Sequence, residues 1–126
     1  MPAFERVPRA SGPVVQGYAE GGFSVDGRTY RGVLLTPERA VGWDSPAPGE
    51  LELADVEPAL ALEPPPEFLL LGTGSRQVFP PRALASALDA RGIGLEVMDS
   101  RAAARTWAVL RAEERWIAAA LMPLDD

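Results

Sequence analysis

Two short stretches carry residues of the kind that hold an anion. Gly72-Thr73-Gly74-Ser75 closes the apolar run Phe68-Leu69-Leu70-Leu71, and Asp99-Ser100-Arg101 closes a second run, Ile93 to Met98, with Arg105 four residues on. Glycine amides, hydroxyls and guanidinium groups are the chemistry that recognises phosphate or carboxylate. If both runs are parallel strands, their ends share the sheet edge where open α/β sheets take ligands. The candidate ligand-binding set is therefore Thr73, Gly74, Ser75, Asp99, Ser100, Arg101 and Arg105. A plainer reading stands beside it. Gly-Thr-Gly makes a tight turn that needs positive φ, Asp99 or Ser100 caps a helix, Arg101 is solvated and Arg105 meets an acid elsewhere. A dinucleotide fingerprint is excluded, because Gln77 stands where its third glycine belongs and the next helix starts only near Pro80.

The composition narrows the chemistry further. Among 126 residues there is no cysteine, no histidine and no lysine, so all 12 basic residues are arginine. Thiolate chemistry, imidazole catalysis, Schiff bases and a phosphate-loop lysine are excluded. The Asp99–Ser100 pair has no partner base, so no residue is assigned a catalytic role, and the reading leans away from an enzyme. No metal and no cofactor are expected. A net charge of −6 argues against nucleic acid. The N-terminus lacks an apolar signal core, and Trp116–Leu124 is too short to span a bilayer. The expected setting is cytoplasmic.

The elements that must position these residues follow from pattern. Residues 1–13 hold three prolines and no periodicity and read as a flexible arm, with a single α/β domain over 14–126. Asp26-Gly27 between Phe23-Ser24-Val25 and Arg28-Thr29-Tyr30 is a two-residue hairpin signal that puts Phe23, Val25 and Tyr30 on one face. Another strand is expected through Arg39–Asp44. The segment 51–62 is open between a strand through Leu51 and Leu53 and a short helix capped by Asp55 with Pro58 in its first turn. From Phe68 the pattern is strand–helix–strand–helix–strand. Leu84 and Leu88 mark the inner face of the first helix, and Ala103, Thr106, Trp107 and Leu110 that of the second. Such alternation predicts a three-layer α/β sandwich with right-handed crossovers. Trp43, Trp107 and Trp116 read as core or rim packing.

The blocks Gly21–Gly32 (GGFSVDGRTYRG), Leu69–Gly74 (LLLGTG) and Gly92–Pro123 (GIGLEVMDSRAAARTWAVLRAEERWIAAALMP) together resemble one family. It is the conserved domain of unknown function that includes mitochondrial respiratory complex I assembly factor three and the adipogenesis-associated domain proteins. The resemblance covers about residues 14–123. It implies a mixed central sheet flanked by helices, with an additional layer from the N-terminal β-hairpin, and it brings no established activity. It also implies protein partners, among them respiratory-complex or membrane-protein biogenesis components, and a place peripheral to the inner membrane through them. The oligomeric state stays open. Relatives commonly carry Cys, Tyr and Asn where this chain has Ala104, Trp107 and Ala108, and often Gly at Arg101, which argues against a shared catalytic site. The partner surface is expected on the hairpin layer, with Phe23, Tyr30 or Trp43 as its apolar centre, or at the edge near 73–76. A small-anion or small-ligand pocket at the ends of strands 68–72 and 93–98 is the alternative.

Overall fold

The computed structural model describes residues 12–124, so the expected arm lies outside the described residues as far as Ser11. Eight strands and three α-helices follow in the order β1 (Val15–Ala19), β2 (Gly22–Val25), β3 (Arg28–Tyr30), β4 (Val33–Leu35), β5 (Ala40–Gly42), α1 (Leu53–Leu60), β6 (Phe68–Gly72), α2 (Arg82–Ala90), β7 (Gly94–Met98), α3 (Ser100–Ala112) and β8 (Ala118–Leu121). A single 3-10 turn, Pro48–Glu50, precedes α1. The strands form two sheets, a three-stranded one in the order β1-β2-β3 and a five-stranded one in the order β5-β4-β8-β6-β7. In the larger sheet β6 runs parallel to β7 and β8, whereas β4 is antiparallel to β8 and β5. The central sheet is mixed, as the resemblance implied.

Period-two alternation explains why three layers form. Leu69 and Leu71 of β6, Ala118 and Ala120 of β8 and Leu34 of β4 face one core with Val56, Leu60, Leu84 and Leu88. Leu70, Ala119, Leu121, Val33 and Leu35 face the other, against Trp107 and Ala103 of α3 and Phe23 and Val25 of the hairpin. A strand buried on both faces must be apolar at every position, which is why β6 and β8 read as unbroken runs. The helices divide accordingly, α1 and α2 on one side and α3 with the small sheet on the other. The steps from β6 to β7 and from β7 to β8 cross the sheet in opposite directions. Crossovers of one hand then lie on opposite faces, which is where α2 and α3 are found.

The hairpin turn has φ of 51° at Asp26 and 80° at Gly27, the left-handed pair that a two-residue turn requires. Phe23 pairs with Tyr30 and is fully buried, so it is unavailable as an exposed anchor. Tyr30 and Trp43 are only partly exposed, and the Trp43 indole Nε1 donates to the Asp55 carbonyl at 2.9 Å. Trp107 is buried in the core and donates to the Pro13 carbonyl at 2.8 Å, tying the chain ahead of β1 to α3.

Segment 51–62 resolves as helix, with one correction. Glu52 is the N-cap and Asp55 stands at the third helical position, its Oδ2 accepting from the Glu52 N–H at 2.8 Å. That acceptor satisfies a donor the helix start leaves orphaned, so the helix begins ahead of Asp55 rather than at it. Pro58 consequently falls in the sixth position, past the first turn, and removes one hydrogen bond from the ladder.

The connector into β6 is held by Arg115, whose Nη2 donates to Glu67 Oε1 at 2.7 Å. This hydrogen bond, with the guanidinium charge and a backbone bond from Trp116 behind it, lowers the Glu67 carboxyl from its ordinary value of 4.5. A depressed carboxylate contributes stability above its unfolded value, and that contribution disappears as pH falls through the folded value. The pair is exposed, so the effect on stability is small. An NMR pH titration should give Glu67 a midpoint below 4.5. Arg115→Gln should return it to the ordinary carboxylate range, and a midpoint that ignores the substitution would show that the pair does not form.

Candidate functional site

The ends of β6 and β8 and the start of α3 meet at one hydroxyl. Ser100 is fully buried. Its Oγ accepts from the Gly74 N–H at 2.8 Å and donates to the Met122 carbonyl at 2.8 Å. Its own N–H donates to the Gly74 carbonyl at 2.8 Å, and the Met122 N–H donates to the Gly72 carbonyl at 2.9 Å. Gly72 is what permits the approach, because a Cβ there would lie 2.8 Å from the Ser100 Cα. Gly74 takes a φ of 96°, which a side chain would strain.

Thr73 is equally committed. Its Oγ1 donates to the Arg76 carbonyl at 2.7 Å and accepts from the Val78 N–H at 2.9 Å, while its N–H donates to the Met98 carbonyl at 2.9 Å. Asp99 caps α3, with Oδ1 accepting from the Ala102 N–H at 2.9 Å. Thr73, Gly74, Asp99 and Ser100 are thus brought together, but their polar atoms close the loop and start the helix. Arg101 turns toward the hairpin layer, with its guanidinium carbon 5.2 Å from the Tyr18 ring centroid. Arg105 is exposed one turn further along α3, and Ser75 is exposed at the tip of the loop.

An open cleft of about 330 Å³ lies beside the loop, walled by Thr73–Arg76, Val78, Arg31, the segment Ser45–Pro48, Met122 and Pro123. The α3 candidates Asp99, Ser100, Arg101 and Arg105 do not line it. Ala104 and Trp107, two positions where the resemblance implied Cys and Tyr, are buried against the sheet. Among the described residues no group of three or more acidic side chains is gathered to hold a metal.

Among the described residues, the most exposed large apolar side chain is Phe79, 71% accessible, in the loop between β6 and α2. Sequence reading passed over it. The available signal was an aromatic set in a connecting loop directly before Pro80-Pro81, with no strand partner to cover it.

A family model described as "Protein of unknown function (DUF498/DUF598)" matches residues 15–122. The chain is 32% identical over 115 residues to the Danio rerio protein named NADH dehydrogenase (ubiquinone) 1 alpha subcomplex assembly factor 3; the match takes in 90% of this chain and 66% of that protein. It thus spans just under two thirds of that relative's length. A crystal structure of a Bordetella parapertussis protein superposes with a TM-score of 0.81 at 33% identity, covering 92% of this chain and 99% of that one. A solution structure from Bordetella pertussis, described as a Mth938-like domain, gives 0.80 at 27% identity, covering 97% and 92%.

Two substitutions test the stitched junction. Ser100→Ala leaves the buried Gly74 N–H and Met122 carbonyl without their partner, and urea unfolding should show a loss of roughly 2–4 kcal/mol. Gly72→Ala forces a methyl group against the α3 backbone and should cost about 1–3 kcal/mol. Stability unchanged in both would mean that the junction does not hold the fold together.

Proposed function

We propose a function from the premise that this chain belongs to the DUF498/DUF598 family of proteins of unknown function: it is a non-enzymatic, protein-binding assembly factor for a respiratory complex of the NADH dehydrogenase type. The relatives bearing an assembly-factor name motivate the partner class. Among the described residues no helix is long and apolar enough to cross a membrane. In this reading the protein meets membrane-embedded partners from the aqueous side.

One observation carries the reading. The Thr73 and Ser100 hydroxyls and the Gly74 N–H, all nominated for a small anion, are engaged within the fold, while the same loop presents Phe79, 71% exposed, to solvent. A buried hydroxyl that already donates and accepts has little left for a ligand. An exposed aromatic on a well-anchored loop is the type of residue that dominates protein–protein affinity. Thr73, Gly74, Ser75, Asp99 and Ser100 then form the frame that presents the loop, and Arg101 and Arg105 lie on the adjoining α3 surface. The hairpin layer is the less suitable surface, because its Phe23 is buried.

The test is capture of the tagged protein from its native cells after mild crosslinking, with partners identified by mass spectrometry. NADH dehydrogenase subunits or membrane-insertion machinery should be enriched. Phe79→Ser, which removes only an exposed ring, should lower their recovery at least about tenfold without changing the melting temperature. A wild-type bait with no reproducible partner would overturn the assembly reading.

A further inference from the structure

A second cleft, of about 400 Å³, separates the start of α1 from the first turns of α2. Its wall is apolar where the helices face each other, with Leu53, Pro81, Leu84 and Ala87, and carries the carboxylates of Glu50 and Glu52. Both carboxylates are exposed, and no arginine lines this cleft. Arg82, the exposed first residue of α2, stands between Pro81 and Ala83 without lining the cleft, and Arg91, just past the C-terminus of α2, is engaged by Glu57 at 2.7 Å. Glu50 and Glu52 therefore set a negative rim over an apolar floor, on a chain whose net charge is −6.

This cleft is built from the same two chain segments as the cleft considered above. Pro48 and Val78 wall the cleft beside Thr73, whereas the next residue of the same turn, Gly49, and the end of the same loop, Pro81, wall this one. Phe79 stands on the loop between them. Building on the protein-binding role above, we propose that the α1–α2 cleft receives a lysine- or arginine-bearing segment of a partner protein. An aliphatic side chain of that segment seats against Leu53, Leu84 and Ala87, and its cations face Glu50 and Glu52. The charge selects the occupant. An acidic segment or an anionic lipid surface is repelled by the rim, and a purely apolar segment leaves both carboxylates facing a dehydrated wall. The aliphatic anchor supplies affinity and the rim charges supply orientation and rate of encounter.

Fluorescence anisotropy with a dye-labelled peptide of alternating lysine and leucine, at low ionic strength, tests this directly. The wild-type protein should bind it. Glu50→Gln with Glu52→Gln should weaken binding roughly five-fold, as expected for two exposed ion pairs. Ala83→Arg, at an exposed helical position lining the cleft, should abolish it by filling the cleft with a like charge. Glu113→Gln with Glu114→Gln, an exposed pair at the end of α3, should leave binding unchanged. Equal losses from both glutamate pairs would reduce the attraction to net charge, and no binding by the wild type, or no effect of Ala83→Arg, would remove the cleft as a site. Crosslinking capture with the Glu50→Gln, Glu52→Gln protein separates the two ideas. Full recovery of wild-type partners would sink the cleft while sparing the assembly role, and a wild-type bait without partners would sink the role itself.

Discussion

The buried hydroxyl of Ser100 stands between two backbone groups, the Gly74 N–H and the Met122 carbonyl, that belong to different strand ends. Without it, one donor and one acceptor would be sealed from water with no partner, and that penalty falls where the central strands β6 and β8 leave the sheet. The contact depends in turn on Gly72, which lets α3 start against the strand end rather than a side chain's width away. Once α3 is seated there, Trp107 reaches the second core and the Pro13 carbonyl, and the hairpin layer has a surface to cover. The outer layer therefore depends on a junction far from its own residues.

The same junction shapes what the molecule can do. A sheet edge with two loops and a helix N-terminus has the architecture of a ligand crevice, yet here Thr73, Asp99 and Ser100 are already bonded to backbone partners. Arg101 lies over Tyr18 rather than over the loop. The loop after β6 carries an exposed aromatic ring and is bordered by two open clefts. Arg31 and Arg76 stand at the one beside Thr73, and Glu50 and Glu52 at the one between α1 and α2.

Much of this was legible locally. Asp26-Gly27 announced the hairpin because a two-residue turn needs left-handed φ at both positions. The unbroken apolar run of β6 announced a strand covered on both faces, and Leu84 with Leu88 announced the inner face of α2. The start of α1 was placed too late because Asp55 looks like an N-cap in isolation, while in the fold it accepts from the N–H of Glu52. Phe23 stands among the candidate apolar centres of a partner surface because a hairpin's pattern says which residues share a face, not which face is covered, and the fold buries it. Phe79 carries a local signal, an aromatic in a loop directly before Pro80-Pro81, but that pattern names the residue without stating that nothing will pack against it.

From the amino-acid sequence alone followed the quantities that depend on neighbours along the chain: the strand and helix identities from Phe68 onward, the two-sided burial of β6, the need for glycine in the turn that follows it, and the exclusion of cysteine, histidine and lysine chemistry. Only the tertiary structure decided which hydrogen-bonding groups are engaged. Gly74, Ser100 and Met122 lie more than twenty residues apart in sequence, and their mutual satisfaction arises when the crossover brings strand ends together. Propensity and periodicity act over a few residues and can nominate polar groups for a site. Whether those groups are available to a ligand depends on the long-range contacts that packing creates, and here the fold itself had already engaged Thr73, Gly74, Asp99 and Ser100.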